Sequence, residues 1–142
     1  MKYLLALITM LLTLSAQAGE IINLGATLCT TYSSGTICNN IPNDSNDTIV
    51  FTLDRLGNVT LVDTSIDINM VATTTTYLGI IVYSAPTVNT NYNKVYPFTV
   101  PLTTSSGATA TLTGTYSLSR SGSGRGGWSW HYFWSFSQLV IN

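Results

Sequence analysis

Trp128, Trp130, Tyr132 and Trp134 occupy alternate positions near the end of the chain, and Phe136 continues the row. Alternation puts all of them on one face of a strand. A row of indole and phenol rings is a platform on which sugars stack, so these four residues are the candidate ligand-binding set. The same pattern also serves a core. The segment Ala108–Ser119 carries Thr or Ser at every odd position and Ala, Leu, Gly or Tyr at every even one. Paired as a hairpin, its small residues would receive the rings. One register sets Leu118 opposite Trp128, Tyr116 opposite Trp130 and Gly114 opposite Tyr132; a slip by two would keep the same faces. Burial is the preferred reading, with Trp130 and Trp134 in the core. Sugar or partner binding is the alternative. A lipid-facing strip is a third, because hairpins with one Ser/Thr face also build membrane barrels. Only this hairpin shows long, regular alternation, which argues against a membrane.

Other chemistry is thinly represented. His131 is the single histidine, and it falls mid-strand among aromatics with no GxSxG elbow to supply a nucleophile. Glu20 is the single Glu, so a carboxylate pair would have to come from Asp44, Asp47, Asp54, Asp63 and Asp67, most of them in turns. The Asn- and Asp-rich run from 39 to 48 lacks the spacing and closing Glu of a calcium loop. The Thr rows, Thr73 to Thr76 and Thr109, Thr111, Thr113 and Thr115, read as solvated sheet faces. An array for ice or glycans is the sharper reading of the same hydroxyls. Asn43, Asn46 and Asn58 head glycosylation sequons. The expectation is a protein without enzymatic activity, cofactor or metal.

The two cysteines, Cys29 and Cys38, flank Tyr32-Ser33-Ser34-Gly35. If those four residues form a hairpin loop, Thr31 faces Thr36 and Cys29 faces Cys38, close enough to bridge. A disulfide fits an exported chain. Residues 1–18 look like its leader: a basic start at Lys2, an apolar run from Tyr3 to Leu14, and Ala16-Gln17-Ala18 for cleavage. Residues 19–142 would then form a single domain, secreted, on the cell surface or in the periplasm.

Charge is sparse. Beyond the leader, the basic residues are Arg55, Lys94, Arg120 and Arg125, against six acids. That balance argues against nucleic acid and anionic membrane, which need clustered cations. Thr and Tyr favour strands, Gly and Asn favour turns, and helix formers are scarce. Ile49, Phe51 and Leu53 share one strand face, and a turn at Asp54–Asn58 leads to a partner strand at Val59–Val62. Ile66, Ile68 and Met70 suggest a further strand. Leu78 to Tyr83 reads as a covered central strand. Pro97 and Pro101 push the Tyr96–Leu102 segment towards a sheet edge. Arg120–Gly127 reads as a mobile loop. The expected fold is all-β: a single-domain antiparallel β-sandwich, Ig-like or jelly-roll-like, with a small β-barrel as the alternative. The expected function is a non-catalytic module acting through its surface, as an assembly subunit or adhesin-like binder. Its partners would be protein, through self-association or a surface partner, or glycan. The Gly19–Leu24 segment is a candidate for a donated or swapped strand. A carbohydrate-binding module and a membrane-inserting hairpin are the rivals.

Overall fold

A computed structural model describes residues 19–32, 34–42 and 48–142. The leader and the Asn/Asp-rich stretch at 43–47, with the sequons at Asn43 and Asn46, lie outside the described residues. Every regular element among the described residues is a strand. They are β1 (Glu20–Tyr32), β2 (Gly35–Pro42), β3 (Thr48–Asp54), β4 (Asn58–Ile66), β5 (Ala72–Ile80), β6 (Val82–Tyr83), β7 (Val88–Asn89), β8 (Asn93–Thr103), β9 (Thr109–Ser123) and β10 (Gly127–Ile141). No helix among these residues is long and apolar enough to cross a membrane.

The strands form one antiparallel sheet in the order β5-β4-β3-β2-β1-β10-β9-β8-β6, with β7 also on β8. The sheet curls into a half-barrel, and its two ends touch where Leu78 and Gly79 of β5 meet Thr103 and Leu102 of β8. The core packs against the concave face of this curled sheet. The concave face is filled by alternate residues. Ile49, Phe51 and Leu53 are all buried, as their spacing implied, with Val59 and Leu61 beside them on β4. On the opposite wall sit Phe98, Val100 and Leu102 of β8, Ala110 and Leu112 of β9, and Phe136 and Leu139 of β10. Phe136 stacks on Phe51 across the interior, with centroids 4.4 Å apart and planes at 11°, and meets Phe98 edge-on at 5.6 Å. Gly114 lies between Phe98 and Phe136 in the ladder. A methyl there would fall 2.6 Å from Phe98 Cζ and against the Ser135 carbonyl.

Cys29 and Cys38 are direct partners across β1 and β2 and form a disulfide, with Thr31 opposite Thr36. Pairing runs one residue further than the loop expected from sequence, to Tyr32 and Gly35. A disulfide points to an oxidising compartment, extracellular or periplasmic. The β3–β4 turn is the one expected: Asp54 accepts from the Leu56 N–H at 2.8 Å, the Asn58 N–H at 2.9 Å and Asn58 Nδ2 at 2.6 Å. The Asn58 side chain first, and backbone donors with it, hold the Asp54 carboxyl below its ordinary range.

Several expectations are corrected. Ile68 and Met70 are not on a strand. Asp67 accepts from the Asn69 and Val71 N–H groups and folds 67–71 into a turn, with Met70 at φ 61° and Ile68 97 % exposed. Leu78–Tyr83 is neither continuous nor covered. The chain breaks at Ile81, and Leu78, Ile80, Val82 and Tyr83 are exposed because β5 and β6 end the sheet path. The Tyr96–Leu102 segment, conversely, is internal, pairing with β9 along its length. Its other side carries only fragments, at Lys94–Val95, Phe98–Thr99 and Leu102–Thr103. Pro97 and Pro101 fall between these fragments, so their missing N–H groups interrupt no ladder. Arg120–Gly127 is mostly strand. β9 runs to Ser123, a turn closes through the Gly126 N–H to the Ser123 carbonyl at 3.1 Å, and Gly127 follows at φ 81°. Gly19–Leu24 is engaged within its own chain, Glu20 to Asn23 pairing with Ile141 to Gln138.

Two stability outcomes follow from this packing. Gly114→Ala should lower the unfolding free energy by about 1–3 kcal/mol through overpacking, and Phe136→Ala by about 3–5 kcal/mol. Urea denaturation measures both, and Leu56→Ala in the exposed β3–β4 turn should move it by less than about 0.5 kcal/mol. Replacing both cysteines by serine should cost about 2–3 kcal/mol, since the bridge closes a short loop. Alkylation of the unreduced protein should find no free thiol.

Candidate functional site

Hairpin β9–β10 is longer than the rest of the sheet can cover. β10 pairs with β9 along its whole length, from Gly127 opposite Ser123 to Ile141 opposite Ala110. It pairs with β1 only over Gln138–Ile141. Among the described residues, the remaining edge of β10, 127–137, therefore has no second neighbour. Two irregularities produce this. β10 carries a bulge between Phe136 and Gln138, and β1 carries one between Leu24 and Thr27. A bulge bends its strand and raises the local twist. Here the strands part where the bulges lie, and an open seam separates them.

The inward face of the hairpin changes character along its length. Ala110 and Leu112 are core. Next come Gly114 with Phe98 and Phe136, then Tyr116 with Tyr96 and Trp134. Beyond them lie Leu118 with Lys94 and Tyr132, then Arg120 with Trp130, and lastly Gly122 with Trp128. The expected register is thereby corrected: Leu118 faces Tyr132 and not Trp128, a displacement of four residues along β10. The cause is the tight turn at Ser123–Gly126, which replaces the loop expected there. An even displacement keeps the faces, so the Trp row still points to one side.

The four candidate aromatics divide into two groups. Trp134 is half-buried and packs on the core, 4.3 Å from Tyr116 and 5.6 Å from Phe98 between ring centroids. With Tyr132, 65 % exposed, it borders an open cavity of about 540 Å³ that also takes in Tyr32, Tyr83, Tyr116 and Asp54. This cavity bridges the seam, from the end of β1 to the middle of β10. Partial burial of its ring against Tyr96, Phe98, Tyr116 and Trp134, and secondarily the Tyr116 hydroxyl, push Tyr83 up to about 12. Tyr116 is raised as well, by burial first and then by Tyr132 and Tyr96.

Trp128 and Trp130 lie further out, and the expectation of a buried Trp130 is corrected: it is 39 % exposed, since no strand covers it from the seam side. Both line a second concavity of about 350 Å³ with Asn91, Tyr92, Lys94 and Arg120. The Arg120 guanidinium lies 4.5 Å from the Trp128 ring centre and 6.0 Å from that of Trp130. The Arg120 N–H donates to the Tyr92 carbonyl at 2.7 Å and pins the β7–β8 turn to the hairpin. The Tyr92 ring is 5.9 Å from Trp128.

Sequence reading missed Lys94, Arg120, Tyr83 and Tyr116 as site residues. Arg120 had a signal: it occupies the next even position after the dry row 110–118, so it faces inward like the Trp residues. Tyr83 had none, because a two-residue strand leaves no periodicity. On the outer face, His131 Nε2 sits 2.8 Å from Ser121 Oγ and 3.3 Å from Ser129 Oγ. Thr113 Oγ1 lies 3.2 Å from Ser137 Oγ, and Thr74 Oγ1 lies 3.3 Å from Thr64 Oγ1, so the Thr rows are partly spent on hydroxyls of the neighbouring strands. No cluster of three or more metal-holding side chains occurs among the described residues.

No protein-family model, curated protein or solved structure matches this chain.

The split strip should be visible in fluorescence. Iodide should quench Trp128 and Trp130 readily, and a protein retaining only Trp134 should be quenched least and emit furthest to the blue. Alkaline titration followed by tyrosinate absorbance should show a late phase approaching pH 12 that Tyr83→Phe removes. The unfolded chain gives up this proton near pH 10. The contribution of Tyr83 to stability is therefore whole below pH 10 and falls as pH rises from 10 towards 12.

Proposed function

We propose that this chain is an exported, non-catalytic module that works through its surface, as a subunit of an extracellular assembly or an adhesin-like binder. The observation that carries this reading is the open edge of β10 at 127–137, flanked by exposed aromatics. An unpaired run of backbone N–H and C=O groups is a template for another strand. The outward Phe133, 61 % exposed, and the inward Tyr132 would give an added strand something to pack on. Few charges guard this edge: His131 is the one ionisable side chain on its outer face between Gly127 and Ser137. In this reading the curled sheet is a small up-and-down barrel whose seam is completed by a strand from a partner, and the sandwich reading is set aside.

A second reading is glycan binding by the outer half of the strip, favoured by the concavity that Trp128 and Trp130 form with Lys94 and Arg120.

Light scattering after size exclusion tests the first reading. The protein should gain mass with concentration, and Phe133→Lys, which places a charge on the edge without touching the core, should keep it monomeric with unchanged far-ultraviolet circular dichroism. A wild-type chain that stays monomeric throughout and takes up no strand peptide would sink it.

A further inference from the structure

The concavity at the far end of the hairpin collects cations in a chain that has few. Lys94 and Arg120 are two of the four basic residues beyond position 18, and both line it. A third, Arg125, sits in the turn that closes the same hairpin. The acids among the described residues lie elsewhere: Glu20 is at the opposite end of the hairpin, beside Ile141, and Asp54, Asp63 and Asp67 belong to β3, β4 and the turn after β4. Among the described residues, no carboxylate lines the pocket. Arg120 is held in place by its neighbours, stacked on Trp128 and with its backbone bonded to Tyr92. Its Nε is buried and has no hydrogen-bond partner. A desolvated guanidinium donor without an acceptor costs free energy that an incoming anion would recover.

We propose that this pocket binds an acidic saccharide, with a carboxylate or sulfate at Arg120 and Lys94 and a sugar ring on the Trp128–Trp130 face. The proposal rests on the glycan reading above and adds the charge of the ligand to it. Trp128, Trp130 and Tyr92 supply flat apolar surface for the C–H face of a pyranose. Asn91 and the Tyr92 hydroxyl supply neutral polar groups for ring hydroxyls. Lys94 offers a mobile point charge, while Arg120 offers an oriented fork, so together they match a charged group of two or three oxygens. Two lining cations are too few to track a nucleic-acid backbone.

The test is a titration of the full chain, followed by tryptophan fluorescence and calorimetry. The probes are an oligogalacturonate, a sulfated uronate-containing hexasaccharide, and neutral cellohexaose. Expected is saturable binding of at least one acidic probe, about tenfold or more tighter than the neutral one. Which acidic probe wins tells carboxylate from sulfate. Affinity should fall with added salt. Arg120→Gln and Lys94→Gln should each weaken binding about tenfold. Lys94 carries no described packing role, so its variant keeps the test sound if Arg120→Gln disturbs the hairpin. Equal binding of neutral and acidic probes would overturn the acidic specificity while leaving the glycan reading intact. Binding of none would overturn both. Tighter binding of a single-stranded oligonucleotide, or of anionic phospholipid vesicles, would overturn the proposal in favour of a different ligand.

Discussion

The ring stack of Phe136 on Phe51 is the contact on which this architecture hangs. The two residues belong to strands that are not neighbours: β2 and β1 lie between them in the sheet order. Their contact therefore exists only if the sheet curls, and it rewards curling. A buried Phe contributes about 1.5–3 kcal/mol, and an aromatic pair adds about 0.5–1.5 kcal/mol. Phe98 closes on the same ring from β8, and Gly114 leaves the room for it. One residue beyond Phe136, β10 bulges. The alternation inverts there, so that Leu139, an odd position, joins the core that even positions had lined. The packing centre and the point where the seam opens are thus one residue apart.

That adjacency explains why the hairpin leads two lives. Below Phe136 it is wall, paired on both sides and dry within. Above it, β9 keeps β8 as a neighbour as far as Asn93, while β10 has β9 alone. The even residues keep facing inward, but the interior they face has opened to solvent. Side chains follow: apolar where enclosed, then Tyr116 and Trp134 where half-covered, then the exposed Tyr132, Trp130 and Trp128 with the half-buried Arg120 and Lys94 beside them. Tyr and Trp suit the intermediate zone because each has an apolar body with a polar tip.

What could be read from the sequence was local. Cys29 opposite Cys38 follows from a tight turn and a count of residues. Ile49, Phe51 and Leu53 follow from a period of two, and the turn at Asp54–Asn58 from its composition. What could not be read was set by distant parts. Whether Leu78–Tyr83 is central or terminal depends on which strands arrive beside it. Asp67 diverts Ile68 and Met70 into a turn by capturing two backbone donors, and the apolar side chains give no hint of that. The strip showed its face but not its cover: Trp130 and Trp134 look alike in sequence and differ in exposure because β1 leaves β10 at Asn23. The prolines of β8 give a middle case. They pointed to a sheet edge, and the strand is internal; the prolines sit in gaps between the short fragments on its other side.

The open edge of β10 also carries a symmetry argument. An edge that pairs with a second copy of itself in antiparallel fashion relates the two chains by a twofold axis, and each edge is then used up. Such an assembly stops at two. Growth beyond a pair would need a head-to-tail contact, in which a different strand enters the seam; among the described residues, Glu20 to Asn23 already complete their own sheet. On the proposed reading, self-pairing at the seam would give closed pairs and not filaments.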